Sequence, residues 1–227
     1  PHLTARSTSG CFELHLTSPG STANLVVRPQ DPPKRSRLAA AQVELEVRAA
    51  GLNFRDVLNM LDLDPTRAVR PIGLECAAIL RAVGERTAHP PSGDPVCGMA
   101  LGCLASMVHT DARLQVTMPL SKCLSFEEAC TLPILWCTAR LALAECAHVS
   151  AGQTCFVHAA TGGVGLVSLE RALRVRAVSA GSVGRPLKAA HVRKLGLVYV
   201  TSSREASTFV GGAASCLTGR RLDAVLS

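Results

Sequence analysis

The chain has 227 residues, of which 48% are hydrophobic and 18% are charged, and its formal net charge at pH 7 is +7. This length suits one large domain or two smaller ones, and the apolar fraction excludes a disordered chain. Aromatic residues make up only 3%, too few for the stacking platforms of single-strand binders, so no nucleic acid is expected as a partner. The positive charge suits a phosphorylated cofactor or an acidic protein.

The termini and the apolar runs bound the location of the protein. We expect no membrane span, because no apolar run reaches the roughly 18 residues that one needs. The first residue is Pro1, and no signal-like segment follows it. We therefore expect a piece of a longer polypeptide that works in the cytoplasm or in an organelle and is not secreted.

The ten cysteines show no C-x-x-C spacing and mostly lie in apolar stretches. A secreted disulfide scaffold of this length is not expected, and cysteine packs readily as a small apolar residue. Buried, reduced thiols are therefore predicted at Cys76, Cys97, Cys103, Cys123, Cys130, Cys137, Cys146 and Cys155.

The part from residue 1 to 147 reads as a β-rich domain. Short strand-like runs such as "NLVVRP", "QVELEVRAAGLNF" and "GDPVCGMALGCLASMV" are separated by Gly, Pro and Asp. In the second run, apolar and charged residues alternate from Val43 to Arg48, which is typical of a half-buried strand. "FRDVLNML" and "SFEEACTLPILWCTARLALAE" read as helices, the latter capped by Ser125.

From residue 148 to 227 strands and helices alternate. Four segments read as strands: "TCFVHA", "RAVSA", "LVYVT" and "RLDAVLS". One helix is predicted after the first strand, and a second helix, "RPLKAAHVRKL", is predicted after the second strand. Such alternation indicates βαβ units on a parallel sheet. The predicted fold class is therefore α/β plus β: a β-rich domain followed by a Rossmann-type domain that is C-terminally incomplete.

The stretch "HAATGGVG" lies between the first of these strands and its helix. Ala159, Gly162 and Gly165 occupy an A-x-x-G-x-x-G variant of the dinucleotide fingerprint. Glycines let the main chain approach a pyrophosphate, which the first N–H groups of the helix then bind. The alternative is a small-residue turn between packed elements; the strand before, the helix after and the second βα unit favour the cofactor cradle.

The cofactor is predicted to be NADPH. The acidic residue that would bind the ribose hydroxyls of NAD is missing, because no Asp or Glu occurs between Arg171 and Arg204, where the chain carries eight Lys or Arg residues. "SAGSVGRPLK" places Ser182, Arg185 and Lys188 where a 2′-phosphate would lie. The alternative is a solvated basic face.

Five stretches together resemble one family: "VRAAGLNFRDVLNML", "GLECAAILRAVG", "TDARLQVTMP", "SFEEACTLP" and "HAATGGVG". They are similar to zinc-independent medium-chain dehydrogenase/reductases, above all to enoyl reductase domains of polyketide synthases and animal-type fatty acid synthases, with quinone oxidoreductases as cousins. "SSR", at 202–204, also matches the synthase branch. The resemblance covers residues 25–227.

The resemblance implies a GroES-like substrate domain beside a Rossmann domain that binds NADPH. It implies transfer of a hydride from NADPH to the β-carbon of an α,β-unsaturated thioester on an acyl carrier protein, with neighbouring synthase domains as partners and a homodimer through the parent synthase left open. The implied contacts are Asn53 and Thr138 at the nicotinamide; Ala160, Gly162, Gly163, Val164 and Gly165 at the pyrophosphate; and Ser182, Arg185, Lys188, Tyr199 and Arg204 at the adenosine 2′-phosphate.

No metal is predicted. Where zinc-dependent relatives carry a cysteine and a histidine ligand, this chain has Asn53 and Leu74, and Glu75 alone makes no zinc centre. The cysteine quartet of the structural zinc lobe is also missing around Cys97 and Cys103.

Several residues keep two interpretations. A strand-end turn cap is the alternative for Asn53, and a helix hydroxyl bonded to its own backbone is the alternative for Thr138. For Arg55 and Asp56, an ion pair or cap competes with a catalytic role. Many relatives have a tyrosine where this chain has Asp64, which is therefore the candidate catalytic acid beside Asn53. An acid there would need a strongly raised pKa.

Two other functions stay open at this point. One is a stand-alone NADPH quinone or alkenal reductase, against which the Pro1 start and the "SSR" match argue. The other is a degenerate, structural reductase-like module of a synthase, which Asp64 and the early end of the Rossmann pattern favour.

Overall fold

The computed structural model describes residues 10–30, 38–64, 70–87, 93–118 and 124–227. The chain divides into two compact units, Pro1–Ile134 and Leu135–Ser227. The domain boundary predicted at residue 147 stays a prediction. Both units have the expected class: the first is built on an antiparallel sheet and the second on a parallel one.

The described part of the first unit contains a hairpin, a five-stranded antiparallel sheet and two short α-helices, the second of which follows Ser125. The hairpin pairs β1 (Phe12–Leu16) with β2 (Leu25–Pro29). The sheet has the order β6-β3-β4-β5-β7. Its strands are β3 (Gln42–Gly51), β4 (Glu75–Val83), β5 (Pro95–Met99), β6 (Met107–Asp111) and β7 (Gln115–Thr117), and α1 (Phe54–Met60) follows β3.

The alternation predicted along β3 holds only in part. Val43 and Leu45 are fully buried, as expected, but Glu44 is 2% exposed rather than solvated. The register between β3 and β4 shifts at Glu44 and Leu45, which is typical of a β-bulge and breaks the period of two. The carboxylate of Glu44 lies 3.2 Å from Nε2 of His109 on β6, so the cross-strand partner compensates its burial.

The long helix predicted after Ser125 forms three segments instead of one. Ser125 caps α2 (Phe126–Ala129), a turn follows, and α3 (Pro133–Arg140) continues as a π-helix over Leu141–Cys146. The break has a simple cause, because Pro133 cannot donate the N–H that a continuous helix needs and is favoured at a helix start.

By length and composition Phe126–Cys146 passes as a membrane-crossing stretch in the described part of the chain. The stretch contains Glu127, Glu128, Arg140 and Glu145, so it is not the uninterrupted apolar run whose absence the sequence analysis expects. The support for a span is weak, since core helices of soluble proteins meet the same criterion.

The second unit is a four-stranded parallel sheet in the order β10-β9-β8-β11. Its strands are β8 (Thr154–Val157), β9 (Val178–Val183), β10 (Tyr199–Ser202) and β11 (Ala224–Leu226). Its further helices are α4 (Gly163–Arg174), α5 (Pro186–Lys194) and α6 (Ala206–Leu217). The first three strands are adjacent and parallel, so their carboxyl ends share one edge of the sheet.

Helix α6 has no counterpart among the predicted elements. Its sequence, "ASTFVGGAASCL", contains two adjacent glycines and no charge, so it lacks an amphipathic pattern. Tertiary packing holds it in place: Phe209 and Cys216 contact a buried cluster that includes Phe156 and Ala180 on the sheet.

The prediction of buried cysteines is right for some positions and wrong for two. Cys76, Cys103, Cys130 and Cys155 are buried, and burial raises the pKa of the Cys155 thiol to about 11. Cys97 is half-buried. Cys137 and Cys146 are exposed, because the apolar sequence around them belongs to a helical stretch only partly covered by the fold. Cys123 lies outside the described residues.

Candidate functional site

The glycine turn forms the connection from β8 to α4, as the sequence predicts. Gly162 is the N-cap of α4, so Gly163, Val164 and Gly165 form its first turn. The N–H groups of a first helical turn have no acceptor within the helix and, with the helix dipole, favour an anion. The turn therefore presents main-chain donors at the carboxyl edge of the sheet.

Close packing explains why this turn needs glycine. A Cβ on Gly165 would lie 2.6 Å from the carbonyl oxygen of Ala159, closer than real Cβ atoms approach. Ala159 itself has φ of 47°, a left-handed conformation that costs a residue with a side chain about 1–2 kcal/mol. The chain thus maintains a tight turn at the expense of strain at one alanine.

Ser182, predicted to face a 2′-phosphate, lies beneath the turn. It is fully buried on β9, and its Oγ accepts the N–H of Ala159 at 3.4 Å and lies 3.1 Å from Nδ1 of His158. Its carbonyl oxygen accepts the N–H of Ala160 at 3.0 Å, and Ala160 is fully buried. In this structure Ser182 and Ala160 support the turn from below, so the proposal below gives Ser182 a supporting place.

The predicted cations lie at the carboxyl ends of β9 and β10. Arg185 is the N-cap of α5, Lys188 lies in the first turn of that helix, and Arg204 follows β10. A Cβ built on Gly184 would lie 3.4 Å from Nε of Arg204, so the two loops are in contact. All three cations are exposed, and none forms an ion pair with another described residue.

A pocket of about 400 Å³ opens between these two loops. Arg185, Arg193 and Arg204 line it, with Glu205 as its one acidic side chain. The sequence-based prediction did not include Arg193, because it lies near the end of α5 and not in the loop that carries Arg185. Lys188 is exposed beside the pocket but is not part of its lining.

Tyr199 is not brought to this edge. It is the first residue of β10 and pairs in register with Ala180, two residues before Ser182. Its side chain packs against the buried cluster of Phe156 and Cys216. Since cofactors bind beyond the carboxyl ends of parallel strands, Tyr199 has no place in the proposal below.

His158, left unassigned in the sequence, lies at the end of β8 between the turn and α6. Its ring stacks on Phe209 with a centroid distance of 5.7 Å and meets the edge of Phe156 at 5.0 Å. It also contacts Ser182, as described above. No sequence signal separates this histidine from any other, because its partners come from β9 and α6.

In the first unit, Asn53 lies in a network of carboxylates. It is the N-cap of α1, and its main-chain N–H donates to Oδ2 of Asp56 at 3.0 Å. Its side-chain Nδ2 donates to Oε1 of Glu75 at 3.0 Å. Asp56 also accepts the N–H of Gly73 at 2.9 Å, which favours the capping interpretation of Asp56.

Asp64 and Arg55 form an ion pair, with 3.6 Å between Nε and Oδ2. Asp64 is 8% exposed, whereas about half of the Arg55 side chain is accessible. A neighbouring positive charge favours the ionised form of a carboxylate over the protonated form that a catalytic acid needs. We therefore assign Asp64 no catalytic role in the proposal below.

Thr138 belongs to the second unit, where it is exposed on α3.

Trp136, on the same helix, lies under the guanidinium of Arg174 at 5.9 Å. Arg174 also pairs with Glu170 one turn earlier in α4, so its place at the end of that helix is held by two contacts.

The described residues contain no group of three His, Cys, Asp or Glu side chains that could hold a metal ion. The Glu75 carboxylate accepts hydrogen bonds from the Asn53 side chain and from the main-chain N–H of Ile134. The absence of zinc stays a prediction from the missing ligands.

Known proteins match this chain over most of its length. Erythronolide synthase EryA2 of Saccharopolyspora erythraea is 36% identical over 225 residues, which cover 93% of this chain and 6% of that synthase. The CurK enoyl reductase is 33% identical with a TM-score of 0.85, covering 96% of this chain and 67% of that one. No family model matches.

The chain belongs to the enoyl reductases of polyketide synthases. The mycobacterial protein Rv1454c complexed with NADPH is also similar, at 25% identity and a TM-score of 0.83 over 94% of this chain and 66% of that one. The likeness places this enoyl reductase in the medium-chain dehydrogenase/reductase superfamily and confirms its GroES-like and Rossmann architecture. It does not favour the stand-alone reductase or the degenerate module.

Proposed function

We propose that this enoyl reductase binds NADPH and reduces an α,β-unsaturated acyl thioester held on an acyl carrier protein, as one module of a polyketide synthase. The chain spans a small fraction of the curated synthases that it matches. The activity, the carrier-bound substrate and the neighbouring synthase domains are therefore our proposal for the parent protein.

The observation that carries this proposal is the edge at which the carboxyl ends of β8, β9 and β10 meet. A glycine cradle with free main-chain donors lies beside two loops that carry Arg185 and Arg204, and the segment that would supply an NAD-specific acid has none. Guanidinium groups bind phosphate bidentately and keep their charge. Among the residues that line the pocket beside this edge, Glu205 is the one acidic side chain that would repel a 2′-phosphate.

Different residues of this chain would bind different parts of the cofactor. The first turn of α4 binds the pyrophosphate, Ser182 and Ala160 hold that turn on the sheet, and Arg185, Lys188 and Arg204 bind the 2′-phosphate. Asn53 and Thr138 serve the nicotinamide end. When bound, NADPH would supply the hydride for the β-carbon of the substrate.

The test compares NADPH and NADH binding by nicotinamide fluorescence. We expect the chain to prefer NADPH, and Arg204→Glu and Lys188→Glu each to weaken NADPH binding by roughly tenfold or more while NADH binding changes little. Arg220→Glu is the matched control, since Arg220 is exposed in the same unit after α6 and makes the same charge change.

A second step uses a crotonyl thioester with NADPH. Oxidation of NADPH that depends on the thioester supports the reductase. Tight NADPH binding without turnover would contradict the reductase activity and favour a degenerate, structural module. Equal affinity for NADH and NADPH would contradict the assignment of the basic loops to the 2′-phosphate.

A further inference from the structure

Glu75 is a buried acid to which the proposed function assigns no role. It is the first residue of β4 and is 3% exposed. Its register partner on β3 is Gly51, where a Cβ would lie 2.7 Å from Cγ and Oε1 of Glu75. The lack of a side chain at Gly51 therefore leaves space into which this carboxylate fits, beside the carbonyl oxygen of Cys130.

Neutral donors alone hold this carboxylate. Oε1 accepts Nδ2 of Asn53 at 3.0 Å, and Oε2 accepts the main-chain N–H of Ile134 at 2.7 Å. Among the described residues no Lys, Arg or His pairs with it.

A buried anion without a cation is costly, and a neutral side chain of similar shape would serve packing better. The charge does, however, fix the neighbouring amide. A carboxylate can only accept hydrogen bonds, so it must face the nitrogen of Asn53 and not its oxygen. The second N–H of Nδ2 has no acceptor among the described residues.

We propose that Glu75 is a positioning residue that orients Asn53 so that the free N–H of its amide donates to a carbonyl oxygen of the bound reactants. This inference rests on the proposed function. The oxygen belongs either to the carboxamide of the nicotinamide or to the thioester of the substrate, and both are the same kind of acceptor.

The test is a set of three variants of the 227-residue chain: Glu75→Gln, Asn53→Asp and the double variant. In the double variant the glutamine amide donates to the aspartate, which restores the hydrogen bond in reverse but leaves no N–H at residue 53. We expect the double variant to recover the melting temperature lost in Asn53→Asp without recovering function. If the hydrogen bond between residues 53 and 75 served stability alone, the double variant would recover both.

Binding of two probes locates the acceptor oxygen. NADPH is compared with 2′-phosphoadenosine diphosphoribose, which lacks the nicotinamide. In Glu75→Gln the fragment should bind as in the original chain. A rise of roughly tenfold in the Kd of NADPH assigns the carboxamide. An unchanged Kd with a roughly tenfold lower kcat on a crotonyl thioester assigns the thioester.

Glu44→Gln is the matched control, since Glu44 is an equally buried glutamate of the same sheet that contacts His109. It should lower the melting temperature and leave binding and kcat as they are. If Glu75→Gln behaves like this control, or if the double variant recovers function, the inference is overturned while the proposed function stands. If the original chain binds neither probe, the proposed function falls and takes the inference with it.

Discussion

At the glycine turn of the second unit the groups available for binding belong to the main chain, whereas around Asn53 in the first unit they belong to side chains. The turn is built from neighbours in sequence, from Ala159 to Gly165. The network of Asn53, Asp56, Glu75 and Ile134 joins residues that are up to 81 positions apart in the chain. A turn formed by neighbouring residues can be recognised from sequence, whereas a network of side chains that are far apart in the chain cannot.

The largest effect should come from closing the turn. Gly165→Ala places a Cβ 2.6 Å from the oxygen of Ala159, so the first turn of α4 must move away. We expect NADPH affinity to fall about 100-fold, measured by nicotinamide fluorescence. Gly211→Ala is the control, because a Cβ there meets no atom within 4 Å. Similar affinities for the two variants would show that the turn does not cradle the cofactor.

The equivalent change in the first unit is Gly51→Ala. Its Cβ would lie 2.7 Å from Oε1 of Glu75 and from the carbonyl oxygen of Cys130. We expect the free energy of unfolding to fall by about 1–3 kcal/mol, measured by urea denaturation. Affinity for 2′-phosphoadenosine diphosphoribose should stay unchanged. A neutral substitution would mean that the carboxylate has more room than the structure gives it.

A smaller effect separates two buried serines of β9. Ser182→Ala removes the acceptor of the Ala159 N–H and should cost about 1–2 kcal/mol of unfolding free energy. Ser179→Ala should be close to neutral, because Ser179 is equally buried but its Oγ has no hydrogen-bond partner among the described residues. Equal losses in urea denaturation would show that Ser182 does not support the turn.

The smallest effect concerns a carboxylate at the surface, as a contrast to Glu75. Hydrogen bonds from Arg113 lower the pKa of Asp111 to about 2. A lowered pKa stabilises the fold above the unfolded value of about 3.9. That contribution disappears as the pH falls towards about 2. The melting temperatures of Asp111→Asn and the original chain should therefore differ slightly at pH 6 and converge on acidification, and a gap that widens in acid would reverse this assignment.

Much of the second unit could be predicted from sequence, because its signals are local. The strand, turn and helix around Gly162, Pro186 at the start of α5 and the lack of acid between Arg171 and Arg204 are each visible within a few residues. Helix α6 escaped because "ASTFVGGAASCL" has no amphipathic pattern. The place of Tyr199 escaped because the predicted strand "LVYVT" begins at Leu197, whereas β10 begins only at Tyr199 and so places this side chain at the amino end of the strand.

The sequence by itself determined the two-part architecture, the glycine turn between β8 and α4, the lack of acidic residues in the loops that follow, and the family of the protein. Those features depend on residue spacing, on glycine where a Cβ does not fit, and on charge, which are all properties of short segments. Only the tertiary structure decided that Ser182 supports the turn, that Asp64 pairs with Arg55, and that Glu75 holds Asn53. Each of these depends on burial and on partners from distant strands, and burial, more than residue type, decides what a carboxylate or a hydroxyl does.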